Sequence, residues 1–367
     1  MFTISTPEKY INEENSILLV GKYISDISKT AIVIGGKKAL EQAGPNLFTS
    51  LDEAGISYQI ELFSGYCTKQ AIEKYTFLTK ESKAGIVIGV GGGRVLDTVK
   101  AVAEKVDLPV VTIPTIAATC AAWSALSVVY NENGAVTEFI SLEKSPKLIL
   151  VDPKIIVEAP VRYLQAGIAD TIVKWYEFVP YVKNEEYDFA LQISLNTAKL
   201  ALTILDENSL QAIDANKEGR VTRSFKEVIN AIIALAGLVG SVVGERHKTA
   251  IAHSIHNSMT YLSDTPGSLH GEKVIFGLIA QFILEGKPQS EINDLITKLN
   301  KYNLPVSLKQ LGLENNLGKK INEIANRVKV NPDDVDSLSF DINNQLIEKA
   351  IKKANEIGEK SLNVTVI

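Results

Sequence analysis

A short apolar strand, Gly85-Ile86-Val87-Ile88, runs straight into Gly89-Val90-Gly91-Gly92-Gly93-Arg94-Val95-Leu96-Asp97, and a helical segment begins at once. Three consecutive glycines leave no Cβ between the backbone and whatever lies against the turn, and they let it visit positive φ. The amides of Gly92, Gly93 and Arg94 then open a helix, where unpaired N–H groups and the macrodipole attract a pyrophosphate. Tight turns without a ligand also use glycine. The placement directly between strand and helix is what selects the nucleotide-binding reading and a sheet with crossover helices.

The neighbouring segments follow the same grammar. Thr30–Ile34, Tyr58–Leu62 and Pro109–Ile113 are β-branched or apolar runs, separated by helical stretches near 39–54, 69–82 and 96–104. That alternation specifies βαβ units and a mainly parallel sheet. Leu126–Ile140 breaks the rhythm as two strands around a turn holding Asn133-Gly134, and Leu148–Val151 adds one more strand. Beyond about Glu158 the strand signals nearly vanish. Apolar periodicity of about 3.6 residues marks helices near 161–179, 185–205, 223–244, 246–262, 270–285, 288–302, 316–328 and 343–357. Ser361–Ile367 reads as a short extended tail. A chain of 367 residues exceeds one ordinary core. The expected architecture is therefore a dinucleotide-binding α/β domain over 1–157 and an all-α domain over 158–367.

Charge narrows the partners. With 38 basic and 43 acidic side chains the net charge is −5, and no basic block stands out, which argues against nucleic acid. No run of about 18 apolar residues is evident and the first residues lack a signal-peptide pattern. Cys67 and Cys120 are too few and too far apart for a disulfide framework. The expectation is a cytoplasmic protein that acts on a small molecule and does not engage a membrane.

Three further features bear on chemistry. Pro114-Thr115-Ile116-Ala117-Ala118-Thr119-Cys120 follows a strand, at the sheet end where parallel folds bind ligands, although helix capping by Thr115 or Thr119 explains the hydroxyls equally simply. Gly36-Lys37-Lys38 follows the first long strand, where an acid would bind the adenosine ribose and repel a 2′-phosphate. Two cations there read either as a preference for the phosphorylated dinucleotide or as a solvated pair. Finally, three of the four histidines, His253, His256 and His270, fall in one 18-residue window. His253 and His256 share a helix face, and the Ser-Asp-Thr-Pro-Gly link lets His270 fold back towards them. Imidazoles converging from two segments suit a divalent transition metal, with a carboxylate from elsewhere completing the set.

Taken together, GVGGGRVLD, PTIAATCAAWSALSVVY, AGIADTIVKWYE and AHSIHNSMT with LHGEK resemble the iron-containing (group III) alcohol dehydrogenase superfamily, in its glycerol dehydrogenase-like branch. The resemblance runs collinearly from about Thr30 to Gly277. It implies one divalent metal, zinc before iron, held by Asp170, His253 and His270. It implies NADP or NAD bound through Gly91, Gly92, Gly93, Arg94 and Val95, through Thr115, Ile116, Ala117, Ala118 and Thr119, and through Ser124, Leu126 and Tyr130. Gly36, Lys37 and Lys38 would meet the adenosine end. His256 would relay a proton or orient a ligand, and members of the family are usually symmetric homo-oligomers.

One departure matters. Glycerol dehydrogenases carry an Asp after the threonine loop that anchors the polyol, and this chain has Cys120 there. A neutral thiol is a poor acceptor. Lys174, one turn after Asp170, adds a cation on the same face, although taken alone it also reads as a solvent-facing helix lysine. The combination resembles the hydroxycarboxylate dehydrogenases of the branch, which implies reduction of short 2-oxo acids to 2-hydroxy acids with Cys120 and Lys174 at the substrate. NAD-linked glycerol oxidation is the alternative. A dehydroquinate synthase-type lyase shares the general fold but typically uses Glu as metal carboxylate and several cations around its substrate, features this chain lacks.

Overall fold

The computed structural model describes residues 2–182, 188–243, 250–265, 267–331, 335–336 and 338–364. Ten strands are present among them: β1 (Thr3–Ile4), β2 (Lys9–Asn12), β3 (Thr30–Gly36), β4 (Ser57–Phe63), β5 (Ile86–Gly91), β6 (Val110–Pro114), β7 (Leu126–Tyr130), β8 (Val136–Ser141), β9 (Leu148–Val151) and β10 (Val242–Val243). Six form one sheet in the order β2-β9-β6-β5-β3-β4, parallel throughout. Helices α1 (Val20–Ile24), α2 (Lys37–Glu53), α3 (Lys69–Glu81) and α4 (Gly93–Val106) connect these strands.

Alternation along the strands sorts their side chains into two cores. Ala31, Val33, Ile86, Ile88, Val90, Val111 and Ile113 pack on Ala43, Leu47 and Leu51 of α2. Ile32, Ile34 and Val87 face the other way, onto Ile72 of α3 and Val95, Val99 and Val102 of α4. Burial on both faces is what a parallel sheet with crossover helices requires. It also aligns the C-terminal ends of β3, β5 and β6, from which Gly36, the glycine loop and the threonine loop emerge. The antiparallel β7–β8 hairpin turns at Gly134, where φ is +83°.

The remaining helices are α5 (Pro153–Val157), α6 (Val161–Val182), α7 (Phe189–Lys217), α8 (Arg223–Asn230), α9 (Ala236–Ser241), α10 (Ala252–Met259), α11 (His270–Leu284), α12 (Gln289–Lys301), α13 (Leu317–Arg327) and α14 (Asn344–Val364). A π-helical turn, Ala231–Leu235, joins α8 to α9. The continuous helix Arg223–Ser241 has the length and mean hydropathy, 1.4, of a helix that could cross a bilayer, but Lys226, Glu227 and Asn230 interrupt it, so the sequence reading that no run of about 18 apolar residues exists stands. Here Phe225, Val228, Ile229, Ile232 and Ile233 are wholly buried in the helical core.

Other differences are local. β1, β2 and the helix α1 carry no sequence signal that the alternation pattern detects, since two to five residues cannot establish a period. The helix read over 223–244 stops at Ser241, because Val242 and Val243 pair antiparallel with Ile4 and Thr3. The helix read over 246–262 is confined to Ala252–Met259, and 246–249 lie outside the described residues, as do 185–187 of the segment read over 185–205 and 244 of the segment read over 223–244. Ser361–Val364 continue α14 instead of forming an extended tail, and 365–367 lie outside the described residues.

Candidate metal centre and cofactor cleft

Helix α6 carries Asp170, Lys174 and Glu177 at spacings of four and three, so all three fall on one face. Helix α10 presents His253 and His256 three residues apart, and His270 opens α11. Two glycines let these helices approach backbone to backbone. A Cβ on Gly271 would stand 1.9 Å from the carbonyl oxygen of Ala166 in α6, and one on Gly277 would stand 2.5 Å from that of Ala252 in α10. The start of α11 is further held by Glu272, which accepts the Leu269 amide at 2.7 Å and pairs with Arg162 at 2.5 and 2.7 Å. Neither Gly271 nor Glu272 stands out in the sequence as part of a site, because each acts through a partner more than a hundred residues away.

The packing brings Asp170, His253 and His270 together, with one donor atom from each lying within 4.8 Å of the others. His253 Nε2 is 3.3 Å and His270 Nε2 is 3.2 Å from the same oxygen, Asp170 Oδ1. Two bonds of about 2.0–2.1 Å meeting at a tetrahedral ion would hold their donors about 3.3 Å apart. One carboxylate and two imidazoles thus fit a divalent ion in separation as well as chemistry. The outward nitrogens are also engaged. His253 Nδ1 is 2.5 Å from Glu177 Oε2, whose other oxygen accepts the His253 amide at 3.0 Å. His270 Nδ1 is 3.1 Å from His256 Nε2, and His256 Nδ1 is 3.0 Å from Asn257 Oδ1.

The electrostatics follow from this crowding. Burial alone would raise the Asp170 carboxyl, but Lys174, His270 and His253 outweigh it and hold it well below the usual range. Burial alone would lower His253, yet Glu177 and Asp170 push it up to about 9. Without an ion, a proton takes the place of positive charge between the carboxylates. His256 is held well below its ordinary value, first by burial and then by the charges of His270, Lys273 and His253.

Cys120 and Lys174 lie within electrostatic reach of each other and of Asp170. The Cys120 thiol is pushed up by burial, with Lys174 opposing and Asp170 reinforcing, so it stays neutral. For Lys174 burial works against the charge, but Cys120, Asp170 and Glu177 keep its pKa raised. The Lys174 ammonium makes no hydrogen bond among the described residues, unlike the buried Lys100. Trp123 closes the same loop: its Nε1 donates to Ser241 Oγ at 2.9 Å and its ring lies 5.7 Å from that of Tyr10.

A cleft opens where the glycine and threonine loops face each other. Gly92, Gly93, Leu96, Pro114, Ile116, Ala118, Thr119, Ala121 and Ala122 line it. The Thr119 hydroxyl accepts the Ala121 amide at 3.3 Å within a turn, since no helix follows for it to cap. Val95 and Ala117 are buried in the cores instead of facing the cleft. Arg94 lies over the Tyr66 ring at 4.0 Å, and Tyr66 packs 5.7 Å from Tyr130, so Arg94 and Tyr130 belong to an aromatic group on the hairpin side. Ser124 and Leu126 are fixed from below by Lys100, which donates to their carbonyl oxygens at 2.9 and 2.5 Å. Gly36 caps α2 beside the glycine loop, since Gly35 pairs with Val90, and Lys37 and Lys38 are exposed in the first turn of α2 without an ion pair among the described residues.

Comparison with known proteins agrees with this geometry. Residues 7–153 match the sequence profile described as iron-containing alcohol dehydrogenase. The chain is 32% identical over 363 residues to glycerol dehydrogenase of Citrobacter freundii, covering 98% of each protein. It is 34% identical over 320 residues to hydroxycarboxylate dehydrogenase A of Escherichia coli, covering 87% of each. A crystal structure of a probable glycerol dehydrogenase from Sinorhizobium meliloti superposes with a TM-score of 0.88 at 27% identity, over 97% of this chain and 99% of that one.

Proposed function

The chain belongs to the iron-containing alcohol dehydrogenase family, and from that membership we propose that it reduces short 2-oxo acids to 2-hydroxy acids with a reduced nicotinamide dinucleotide. It is an oxidoreductase of the class acting on the CH–OH group of small-molecule donors. In the proposed arrangement Asp170, His253 and His270 hold one divalent ion, zinc before iron, and the glycine loop holds the dinucleotide. A divalent ion so held would supply Lewis acidity at a carbonyl oxygen, and the nicotinamide would supply hydride.

The residues of the chain do the rest. The amides at the start of α4 receive the pyrophosphate, and Lys37 with Lys38 offers positive charge to a 2′-phosphate at the adenosine end. Two cations at a helix N-terminus work against the macrodipole, so an anion there relieves a local cost. Lys174 receives the substrate carboxylate, and Trp123 with the apolar threonine loop keeps water from the reacting carbon.

The observation that carries the 2-oxo acid reading is Lys174, an ammonium without a hydrogen-bond partner among the described residues, set against the neutral thiol of Cys120. The competing reading, NAD-linked glycerol oxidation, is favoured by the names of the relatives that match over 98% of their length. One set of assays separates them: 2-oxo acids, glycerol and glycolaldehyde against NADPH, NADH and their oxidised forms, followed by nicotinamide absorbance, with wild type and Cys120→Asp. The expected outcome is NADPH-linked turnover of 2-oxo acids by the wild type and a shift towards polyols in the variant. Glycerol as the best wild-type substrate, or an unchanged preference in Cys120→Asp, would overturn the reading.

A further inference from the structure

Each of the two imidazoles facing Asp170 turns one nitrogen towards it and the other away, and each outward nitrogen meets a defined partner. We propose that Glu177 and His256 are the positioning residues of the centre, fixing the tautomer and ring orientation of His253 and His270 respectively. The proposal rests on reading Asp170, His253 and His270 as metal ligands.

For His253 the argument is short. A carboxylate only accepts, so Glu177 Oε2 at 2.5 Å requires the hydrogen on His253 Nδ1, and with an ion in place Nε2, beside Asp170, is left to offer its lone pair to that ion. The second oxygen of Glu177 accepts the His253 main-chain N–H at 3.0 Å, near the N-terminus of α10, where that amide has no helical partner. One side chain therefore grips both the ring and the backbone of the same residue. Glu177 is buried and adds a negative charge behind the ligand, which raises the basicity of the ring.

For His270 the chain is longer. If Nε2 is to bind an ion, the ring hydrogen sits on Nδ1, and among the described residues its acceptor is His256 Nε2 at 3.1 Å. His256 Nε2 is then an acceptor, so its own hydrogen lies on Nδ1, where Asn257 Oδ1 waits at 3.0 Å. The sequence Asn257 oxygen, His256, His270 is thus satisfied in one hydrogen arrangement. Both nitrogens of His256 are committed, and of the two roles open to it from sequence, orienting a ligand is the one this arrangement selects over relaying a proton. The two outer partners differ in charge, one anionic and one neutral, so the centre carries the Asp170 charge among the ligands and the Glu177 charge behind His253.

The test measures metal, not turnover. Zinc affinity is obtained by competition with a chromophoric chelator, and the Co²⁺ ligand-field spectrum reports geometry, for the full chain and for Glu177→Leu, Glu177→Gln, His256→Leu, His256→Gln and Asp170→Asn. Loss of an outer partner typically weakens metal binding by about 10–100-fold. That loss is expected in Glu177→Leu and His256→Leu, with most of it recovered by the glutamine variants, whose amide oxygen still accepts the imidazole hydrogen. In the zinc-loaded wild type, long-range proton–nitrogen correlation should show Nδ1–H on both His253 and His270, and Glu177→Gln should move only the His253 proton. This second measurement decides the matter even where a leucine variant fails to fold. Leucine variants that bind zinc as wild type does, while Asp170→Asn does not, overturn the positioning roles alone. Wild-type affinity in Asp170→Asn overturns the ligand set beneath them. A loss in the leucine variants that glutamine fails to rescue also overturns the proposal, since it would reflect packing and not hydrogen placement.

Discussion

Lys100 and Asp97 form an ion pair at 3.0 Å, 1% and 8% exposed, one turn into the helix that follows the glycine loop. The ammonium's other two hydrogens are shared among the carbonyl oxygens of Ser124 and Leu126 and the hydroxyl of Ser124. A charged group so placed ties the helix after the glycine loop to the segment that follows the threonine loop. Burial raises the Asp97 carboxyl, with Lys100 opposing. Removing one partner strands the other charge, which typically costs about 3–5 kcal/mol. Lys100→Met should therefore lose that much stability in urea unfolding, and Asp97→Asn combined with Lys100→Met should lose less than the two single changes summed. Strict additivity would show that the two side chains do not act as a pair.

Lys174 makes the sharpest functional prediction. A hydrogen bond between charged partners contributes about 1.5–3 kcal/mol, or roughly a 10–150-fold effect. Lys174→Met should lower kcat/KM for a 2-oxo acid by that factor while leaving a neutral aldehyde such as glycolaldehyde nearly unchanged. Equal losses on both substrates would mean that Lys174 supports the centre electrostatically and does not receive a carboxylate.

How much of this could be read from the chain alone depends on how local each signal is. The strand–glycine–helix step and the β-branched runs of β3, β5, β6 and β9 carry their fold in a few adjacent residues, and the sheet follows from them. The approach of His253 and His270 is legible in their spacing, but the oxygen they share belongs to Asp170, 83 and 100 residues away, and enters only through family resemblance. Glu177 reads as an ordinary helix former, because its bonds to His253 exist only once α6 and α10 both pack against α11. Gly271 is similarly silent until Ala166 lies against it. Strands of two residues, β1 and β10, are held by pairing with each other, and no periodicity within either could announce them.

Metal loading should be pH-dependent with a definite sign. In the metal-free protein His253 keeps its proton up to about 9, against an ordinary value of 6.5. An ion must displace that proton, so zinc affinity should rise about tenfold per pH unit between neutrality and about 9. Chelator competition at several pH values, or calorimetry in buffers of different ionisation heat, would count the proton released. The same shift makes the metal-free fold lose stability as pH rises from 6.5 towards 9, because the native state there binds the extra proton. A zinc affinity independent of pH in this window would show that His253 is not displaced from its protonated form by the ion.

Lys273 should behave in the opposite sense. It is 6% exposed and donates to the Thr265 carbonyl oxygen at 3.2 Å. Burial pulls its pKa from 10.5 down to about 8, with Arg94 adding to the effect and Glu272 resisting it. Between those values the unfolded chain binds a proton that the native one does not, so stability rises with pH. Below about 8 the penalty for burying the charge is present in full, and above about 10.5 it is gone. At about 1.4 kcal/mol per unit the penalty is on the order of 3 kcal/mol, less whatever the hydrogen bond to Thr265 returns. Lys273→Met should accordingly be more stable than wild type at neutral pH by about 1–3 kcal/mol, with the gap narrowing as pH approaches 10. Urea midpoints of both proteins at neutral and alkaline pH measure the difference directly. A gap that stays constant across that range would mean the variant gains through packing, and that the Lys273 charge is not what the wild-type fold bears.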